Sequence, residues 1–140
     1  MDKIVSAEKM RLLEQRIFDL GVDSFAVMEK AAMTVGCEVK KRFDPSAKML
    51  VCCGKGNNGG DGFAVARMLC LNGYKVKVCM PLGEPSTDDA VKNYKILSRL
   101  DVEFVTDKED FNTFDVIIDA ILGIGISKDV NLQINWLNKY

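Results

Sequence analysis

The chain has 140 residues, of which 48% are hydrophobic and 28% charged, values typical of one soluble globular domain. Its 19 basic and 20 acidic residues give a net charge of -1, which provides no basic surface for nucleic acid. No apolar run reaches the roughly 18 residues of a membrane span, and the N-terminus lacks the apolar segment of a secretory signal. These properties predict a cytoplasmic protein that binds neither nucleic acid nor membrane.

The first helix is predicted at about residues 7–20, with Ser6 as its N-cap and Gly21 after its end. A second helix is predicted at about residues 24–41. Apolar residues recur at spacings of three and four along both. On the first helix one face carries Met10, Leu13, Ile17 and Leu20, and on the second the residues of a predicted buried stripe are Phe25, Met28, Ala32, Val35 and Val39.

The rest of the chain alternates strands with helices. Strands are predicted at residues 49–53, 75–80, 103–105 and 115–120, with helices at 61–72, 87–100 and 129–140. The first strand is apolar on both faces, as a buried parallel strand requires. This alternation predicts an α/β fold, a three-layer α/β/α Rossmann-like domain with a mostly parallel sheet and two N-terminal helices. In the strand order 3-2-1-4-5, strands one and four are neighbours.

The sequence contains five cysteines and no histidine. Cys52 and Cys53 are adjacent on a predicted strand, so their side chains point to opposite faces, and there is no C-x-x-C pair. We therefore expect buried structural thiols rather than a zinc site. Without histidine, proton transfer must use carboxylates, lysines, backbone groups or a bound ion. The cysteines are Cys37, Cys52, Cys53, Cys70 and Cys79.

Five glycines fall within residues 54–62, between the first strand and a helix. A tight turn with spare glycines is the simpler alternative, but Asn57 and Asn58 followed by Gly-Gly-Asp favour a ligand loop, because glycine lets a ligand approach the backbone. The segment matches G-x-G-x-x-G. However, the second strand ends in Cys-Met-Pro without the carboxylate of a dinucleotide site, and the Walker pattern fails. A conventional NAD-dependent oxidoreductase is therefore disfavoured.

Two carboxylates lie at the predicted carboxyl edge of the sheet. Asp61 would repel a phosphate placed directly on its helix start, so it is better suited to accept hydrogen bonds from hydroxyl or amide groups. Asp119 ends the fourth strand and precedes a second glycine-bearing segment, residues 123–129. The switch point of the sheet should bring both segments to one pocket. There Asp119 is either a solvated strand end or an oxygen ligand for a hard cation.

These motifs resemble the signature of the YjeF N-terminal domain family. The resemblance rests on residues 54–62 with Ala66, Arg67 and Leu69, on residues 119–125 and on residues 27–32, and it extends from about residue 5 to 129. Members of this family are NAD(P)H-hydrate epimerases. They interconvert the R and S forms of hydrated NADH or NADPH, so that a partner dehydratase acting on the S form can repair both. The resemblance implies an isomerase in nicotinamide nucleotide repair.

The resemblance also implies a cofactor, partners and site residues. A potassium ion would be bound by Asn58 and Asp119, and the NAD(P)H hydrate would be the substrate rather than a cofactor. The protein would be a homodimer, with the dehydratase as a separate or fused partner. Asp61 and Lys128 are candidates for proton transfer, and the catalytic base is left unassigned. The residues implied to contact the substrate are Asn57, Asn58, Gly59, Gly60, Asp61, Gly123, Ile124, Gly125, Ile126, Ser127, Lys128 and Asp129.

The family pattern continues with a strand that ends in Val-Asp-x-Pro-Ser-Gly, whose aspartate contacts the substrate and whose serine region completes the potassium site. Residues 1–140 do not include this segment, so we expect an incomplete domain. An inactive or non-catalytic ligand-binding or dimerisation module therefore stays an alternative to the enzyme. A sheet that ends at residues 115–120 also exposes an edge, which predicts association with another chain unless the final helix covers it.

Overall fold

The computed structural model describes residues 6–106 and 109–122. The final helix predicted at residues 129–140 lies outside them. The elements in chain order are α1 (Ala7–Asp19), α2 (Ser24–Arg42), β1 (Lys48–Cys53), α3 (Asn57–Leu71), β2 (Lys75–Cys79), α4 (Asp88–Leu97), β3 (Glu103–Val105), a 3-10 helix (Phe111–Thr113) and β4 (Val116–Ala120).

The described strands form one parallel sheet with the order β3-β2-β1-β4. Val51 of β1 lies beside Val78 of β2 and Ile118 of β4, so β1 has a partner on each side. All β1 residues after Lys48 are buried, as the apolar sequence of this strand predicts. The sheet confirms the predicted α/β class and the predicted order of strands one to four.

The apolar core lies on both faces of this sheet. On one face, residues of α2, α3 and α4 form a single cluster with the strands, in which Phe63, Leu69 and Leu97 are fully buried. The ring of Tyr94 lies edge-on between Phe63 and Phe104, with ring centroids 5.5 and 5.6 Å apart. The second face carries a smaller cluster, whose buried members are Leu50, Cys52, Cys79, Phe111 and Ile121.

Local signals at the helix ends agree with the sequence prediction. Ser6 Oγ accepts a hydrogen bond from the Lys9 backbone N–H at 3.1 Å, and Thr87 Oγ1 accepts one from that of Ala90 at 3.4 Å. Gly21 follows α1 with a φ of 99°, a left-handed conformation that favours glycine. These residues set the starts of α1 and α4 and the turn into α2.

Several sequence predictions were wrong in detail. α3 begins at Asn57, four residues before its predicted start, because tertiary packing overrides the low helix propensity of asparagine and glycine. Val35 is 41% exposed, and Gly36 lies against α3 in its place. Cys37 is exposed and Cys70 is only half-buried, whereas both were predicted to be buried. The 3-10 helix at Phe111–Thr113 has no counterpart in the prediction.

The apolar face of α1 exists but stays uncovered within the described residues. Leu13, Ile17 and Leu20 are 45%, 40% and 79% exposed, and the side chain of Met10 is outside the described part. Across residues 6–106 and 109–122, no helix combines the length and the apolar character needed to cross a membrane.

Gly36→Ala should stabilise the protein. Gly36 lies inside α2, and a Cβ there would be 3.8 Å from Met68 Sδ, an ordinary van der Waals distance. Since alanine has the higher helix propensity, we expect the free energy of unfolding to rise by about 0.5–1 kcal/mol. Urea titration followed by circular dichroism measures this change.

Gly59→Ala is the contrasting variant, because its Cβ would lie 1.9 Å from the Gly54 carbonyl oxygen. The start of α3 would have to move, and we expect a loss of at least about 2 kcal/mol. Equal unfolding midpoints for the two variants would contradict the packing described for α2 and α3.

Candidate functional site

Glycines allow the start of α3 to approach the carboxyl ends of β1 and β4. The Gly54 N–H donates to the Ala120 carbonyl oxygen at 3.0 Å, and a Cβ on Gly54 would lie 2.3 Å from the Ile121 carbonyl oxygen. A Cβ on Gly62 would lie 2.7 Å from both Cys53 Sγ and Ala120 Cβ. The turn after β1 and the end of β4 therefore meet, as the predicted strand order requires.

A cleft of about 570 Å³ opens beside the first turn of α3, within the usual range of small-molecule sites. Residues from all four described α-helices and from the α4 N-cap line it. The polar lining residues are Glu14, Ser24, Asn57, Asn58, Asp61, Thr87, Asp88 and Asp89, and the apolar ones are Phe18, Val27, Met28 and Ala31. The cleft thus combines an apolar wall with convergent polar groups.

Hydrogen bonds between helices hold part of the polar lining in place. Thr87 Oγ1 donates to Asn57 Oδ1 at 2.7 Å, which joins the start of α4 to the start of α3. Ser24 Oγ donates to Asp89 Oδ2 at 2.5 Å, which joins α2 to α4. The carboxamide of Asn58 has no hydrogen bond to the described residues, so both its donor and its acceptor are available to a ligand.

Asp61 is the described residue best suited to proton transfer. Burial, and after it the negative charge of Glu14, raises the pKa of Asp61 from its usual 3.8 to about 6. No lysine or arginine of the described chain lines the cleft to offset this effect. A carboxyl group with a pKa near neutrality can both accept and return a proton, as general acid–base catalysis requires.

A largely buried ion pair, extended by Asn93, links three of the helices that line the cleft. Arg67 of α3 donates to Glu29 of α2 and, at 3.4 Å, to Asn93 Oδ1 of α4. Asn93 is fully buried, and its Nδ2 donates to Met28 Sδ at 3.1 Å. Because Met28 lines the cleft, this network sets the position of one wall. It also joins residues 27–32 of α2 to Arg67, which follows the glycine-rich residues 54–62.

Asp119 lies near the carboxyl end of β4, beside Cys52 in the sheet register. Its side chain is exposed, and its Oδ1 accepts a hydrogen bond from the Ile121 N–H at 3.1 Å. It is not among the residues that line the cleft with Asn58 and Asp61. The described structure therefore brings the two backbone segments together without bringing the Asp119 side chain into this cleft.

A cation would find isolated oxygen ligands among the described residues, and no cluster of charged ligands. Among them, no group of three or more histidine, cysteine, aspartate or glutamate side chains could hold a metal ion. Asn58 and Asp119 each carry a side-chain oxygen, which fits a hard cation by its chemistry. The predicted contacts at residues 123–129, including Lys128, lie outside the described residues.

Burial disfavours the reactive thiolate form of the cysteines near this edge. A hydrogen bond joins Cys52 Sγ and Cys79 Sγ, which lie 3.1 Å apart. This hydrogen bond and burial raise the pKa of the Cys52 thiol, and burial raises the pKa of the Cys53 thiol. Cys52 and Cys53 belong to different core clusters, which confirms that they face opposite sides of the sheet.

The sequence analysis missed the cleft residues Glu14, Phe18, Asp88 and Asp89. A signal existed for the aspartate pair, because α4 follows β2 and its N-terminus must lie at the same edge of the parallel sheet as that of α3. No sequence signal places Glu14 and Phe18 there, because α1 precedes the alternating strands and helices.

The chain is similar to several named proteins. The model of the family described as YjeF-related protein N-terminus matches residues 24–139. The NAD(P)H-hydrate epimerase of Oenococcus oeni is 41% identical over 119 residues, which cover 82% of this chain and 56% of that protein. The bifunctional NAD(P)H-hydrate repair enzyme of Pyrobaculum aerophilum is 36% identical over 136 residues, which cover 90% of this chain and 27% of that protein. The chain thus spans about half of the first relative and about a quarter of the second.

A solved structure shares the fold. The yeast protein ynu0 matches with a TM-score of 0.82 and 24% sequence identity, and the match covers 99% of this chain and 65% of that one. At this identity the likeness supports the fold alone.

The carboxyl group of Asp61 should titrate near pH 6, as followed by the NMR shift of its carboxyl carbon. Glu14→Gln should lower this midpoint, because it removes a nearby negative charge. A midpoint near 4 in the unchanged protein would contradict the burial of this group.

The same titration should affect stability. Because the folded state holds this proton more tightly than the unfolded chain, stability should fall as pH rises from about 4 to about 6, and Asp61→Asn should lose less stability over that range. Urea midpoints measured across this range for both proteins give the comparison.

Proposed function

The chain belongs to the family of the YjeF-related protein N-terminus, and from this premise we propose that it is an isomerase acting on NAD(P)H hydrates. The proposed reaction interconverts the R and S forms of hydrated NADH or NADPH and so serves nicotinamide nucleotide repair. The names of the relatives from Oenococcus oeni and Pyrobaculum aerophilum support this proposal.

The observation that carries the proposal is a carboxyl group, Asp61, with a pKa near 6 in the cleft. The R and S forms contain the same atoms, so the reaction consumes nothing. One bond to the hydroxyl-bearing carbon must break and form again on the other side of the ring, while a proton leaves and returns. Asp61 can accept and return that proton, and we propose it for this role ahead of Lys128.

The start of α3 is the proposed substrate-binding segment. The carboxamides of Asn57 and Asn58 match the carboxamide and hydroxyl groups of a hydrated nicotinamide, since each supplies donors and an acceptor. Gly59 and Gly60 are buried against the turn after β1 and against α2, and their place among the proposed substrate contacts rests on the family resemblance. By the family resemblance, residues 123–129 complete the contacts.

A potassium ion at Asn58 and Asp119 is a further part of the proposal. Its support is the chemistry of the two oxygen donors, together with the hydrogen bond between Gly54 and Ala120 that joins their segments. When bound, such an ion supplies a fixed positive charge near the oxygen atoms of the substrate. Asn58 would hold it, and Asp61 would remain the group that transfers the proton.

The proposed partner is an NAD(P)H-hydrate dehydratase that consumes the S form. The bifunctional repair enzymes that this chain matches support this pairing.

A cytoplasmic location fits the five cysteines, all of which are free thiols. A non-catalytic ligand-binding module is less favoured, because binding alone does not require a carboxyl group that titrates near neutrality.

The purified chain should equilibrate the S form of hydrated NADH with the R form faster than the uncatalysed reaction does. Asp61→Asn keeps the size of the side chain but removes the transferable proton, so we expect the rate to fall at least about 100-fold. Chromatographic separation of the epimers over time measures both rates.

Asp101→Asn is the matched control for this assay, because Asp101 is exposed and does not line the cleft. It should keep the original rate. An unchanged chain that is no faster than buffer would contradict the proposed activity. A full rate in Asp61→Asn would instead contradict the role given to this residue.

We also propose a homodimer in which the exposed apolar face of α1 is covered. Leu13→Glu combined with Ile17→Glu should convert the dimer to a monomer, because each charge would be buried without a partner. Leu71→Glu, on a leucine that is 65% exposed in α3, is the control and should leave the dimer intact. Sedimentation velocity distinguishes the two states, and a monomeric unchanged chain would refute the dimer.

A further inference from the structure

The two adjacent asparagines at the start of α3 differ in how the protein holds their side chains. Thr87 Oγ1 donates a hydrogen bond to Asn57 Oδ1 at 2.7 Å, whereas the Asn58 carboxamide has no hydrogen bond to the described residues. Both side chains line the cleft. The Asn57 carboxamide is therefore held in one orientation by the start of α4, and the Asn58 carboxamide can turn toward the group that binds it.

The hydroxyl proton of Thr87 determines which end of the Asn57 carboxamide faces it. Thr87 Oγ1 accepts a hydrogen bond from the Ala90 N–H at 3.4 Å, which caps α4, and its single proton is left to donate. The oxygen of Asn57 can accept this proton, and its NH2 group cannot. The NH2 group has no hydrogen bond within the described part of the chain, so it supplies the donors that Asn57 offers a ligand.

The position of Thr87 is fixed by contacts on both sides of it. The Ser86 N–H donates to the Lys55 carbonyl oxygen at 2.8 Å, and Ser86 Oγ donates to the same oxygen at 3.3 Å. On the other side, a Cβ on Gly60 would lie 3.1 Å from Ala90 Cα, so the backbones of α3 and α4 are in close contact. Thr87 thus cannot move away from Asn57 without the loss of these contacts.

We propose that Thr87 is a positioning residue for substrate binding, which acts by holding the Asn57 carboxamide with its NH2 group available to the substrate. The inference rests on the proposed epimerase function. Asn57 then recognises an oxygen atom of the substrate that accepts hydrogen bonds. Asn58, whose orientation nothing fixes, keeps its oxygen for the proposed potassium ion, so the two asparagines have different tasks.

Thr87→Val tests this role, because valine has the shape of threonine without its hydroxyl group. Epimerisation of hydrated NADH is measured at a fixed potassium concentration. We expect KM to rise roughly three- to tenfold, as for the loss of one neutral hydrogen bond, and kcat to stay within about twofold. Thr87→Ser keeps the hydroxyl group and should recover most of this loss. An unchanged KM in Thr87→Val, or a fall in kcat alone, would overturn the proposal.

A double variant separates this role from a general effect on folding, such as the loss of the α4 cap. If Thr87 acts through Asn57, then Thr87→Val should not raise KM further in a chain that already carries Asn57→Ala. A rise of the same size in both backgrounds would overturn the proposal.

Thr113→Val is the matched control for the kinetic measurements. Thr113 Oγ1 also donates a hydrogen bond of 2.7 Å, to the Asp110 carbonyl oxygen, and Thr113 does not line the cleft. The same substitution at this site should leave both KM and kcat unchanged.

NMR relaxation of the Asn57 side-chain NH2 group tests the positioning without substrate. Its order parameter should be about 0.85 in the unchanged chain and in Thr87→Ser, and below about 0.6 in Thr87→Val. Equal order parameters in the unchanged chain and Thr87→Val would overturn the proposal even in an active enzyme. If they differ as expected but the unchanged chain does not interconvert the epimers, the proposed function fails and the positioning of Asn57 by Thr87 stands.

Discussion

The close approach of α3 to its neighbours is the constraint on which the rest of the structure depends. A Cβ at Gly59 would lie 1.9 Å from a backbone oxygen, and one at Gly60 would lie 2.6 Å from Met28 Cε. Backbone cannot move aside by a change of rotamer, so the constraint is strict at Gly54 and Gly59. It is softer at Gly60, where the flexible thioether of Met28 can shift. Packing thus outweighs the poor helix propensity of these residues.

The first turn of α3 serves packing and ligand binding together. Its glycines face the turn after β1 and the helices α2 and α4, which leaves Asn57, Asn58 and Asp61 to line the cleft. Thr87 then holds Asn57 from the start of α4. Because the same turn fixes the helix and presents the polar groups, a displacement that loosens the packing also displaces the groups proposed for binding and proton transfer.

The sequence predicted the features that depend on local pattern. Alternating strands and helices gave the parallel sheet and its order, and Ser6, Gly21 and Thr87 marked helix ends because capping is a local interaction. The sequence could not predict that α3 begins as early as Asn57, because glycine and asparagine form helix poorly unless tertiary contacts stabilise it. Hydrophobic spacing does not determine the rotation of α2 about its own axis. This rotation decides that Gly36 is buried and Val35 is not.

For the site, the asparagines and Asp61 were identified because their order in the chain is unusual. Glu14 and Phe18 were missed because they reach the cleft from a helix whose position no local signal sets. The carboxylate at Asp119 shows the opposite case. Topology placed its backbone beside the glycine segment, but topology does not determine whether a side chain enters the cleft.

The exposure of α1 has a consequence for the way the cleft opens. None of the side chains described on this helix is fully buried, so little apolar area holds it to the remainder of the chain. In the monomer, where no partner covers the apolar face of α1, local unfolding of this helix should cost far less free energy than global unfolding, and its amides should exchange with solvent sooner than those of β1. A ligand that packs on Phe18 binds the ordered helix and not the open one. Occupancy of the cleft would then slow exchange in α1 while leaving the sheet unaffected.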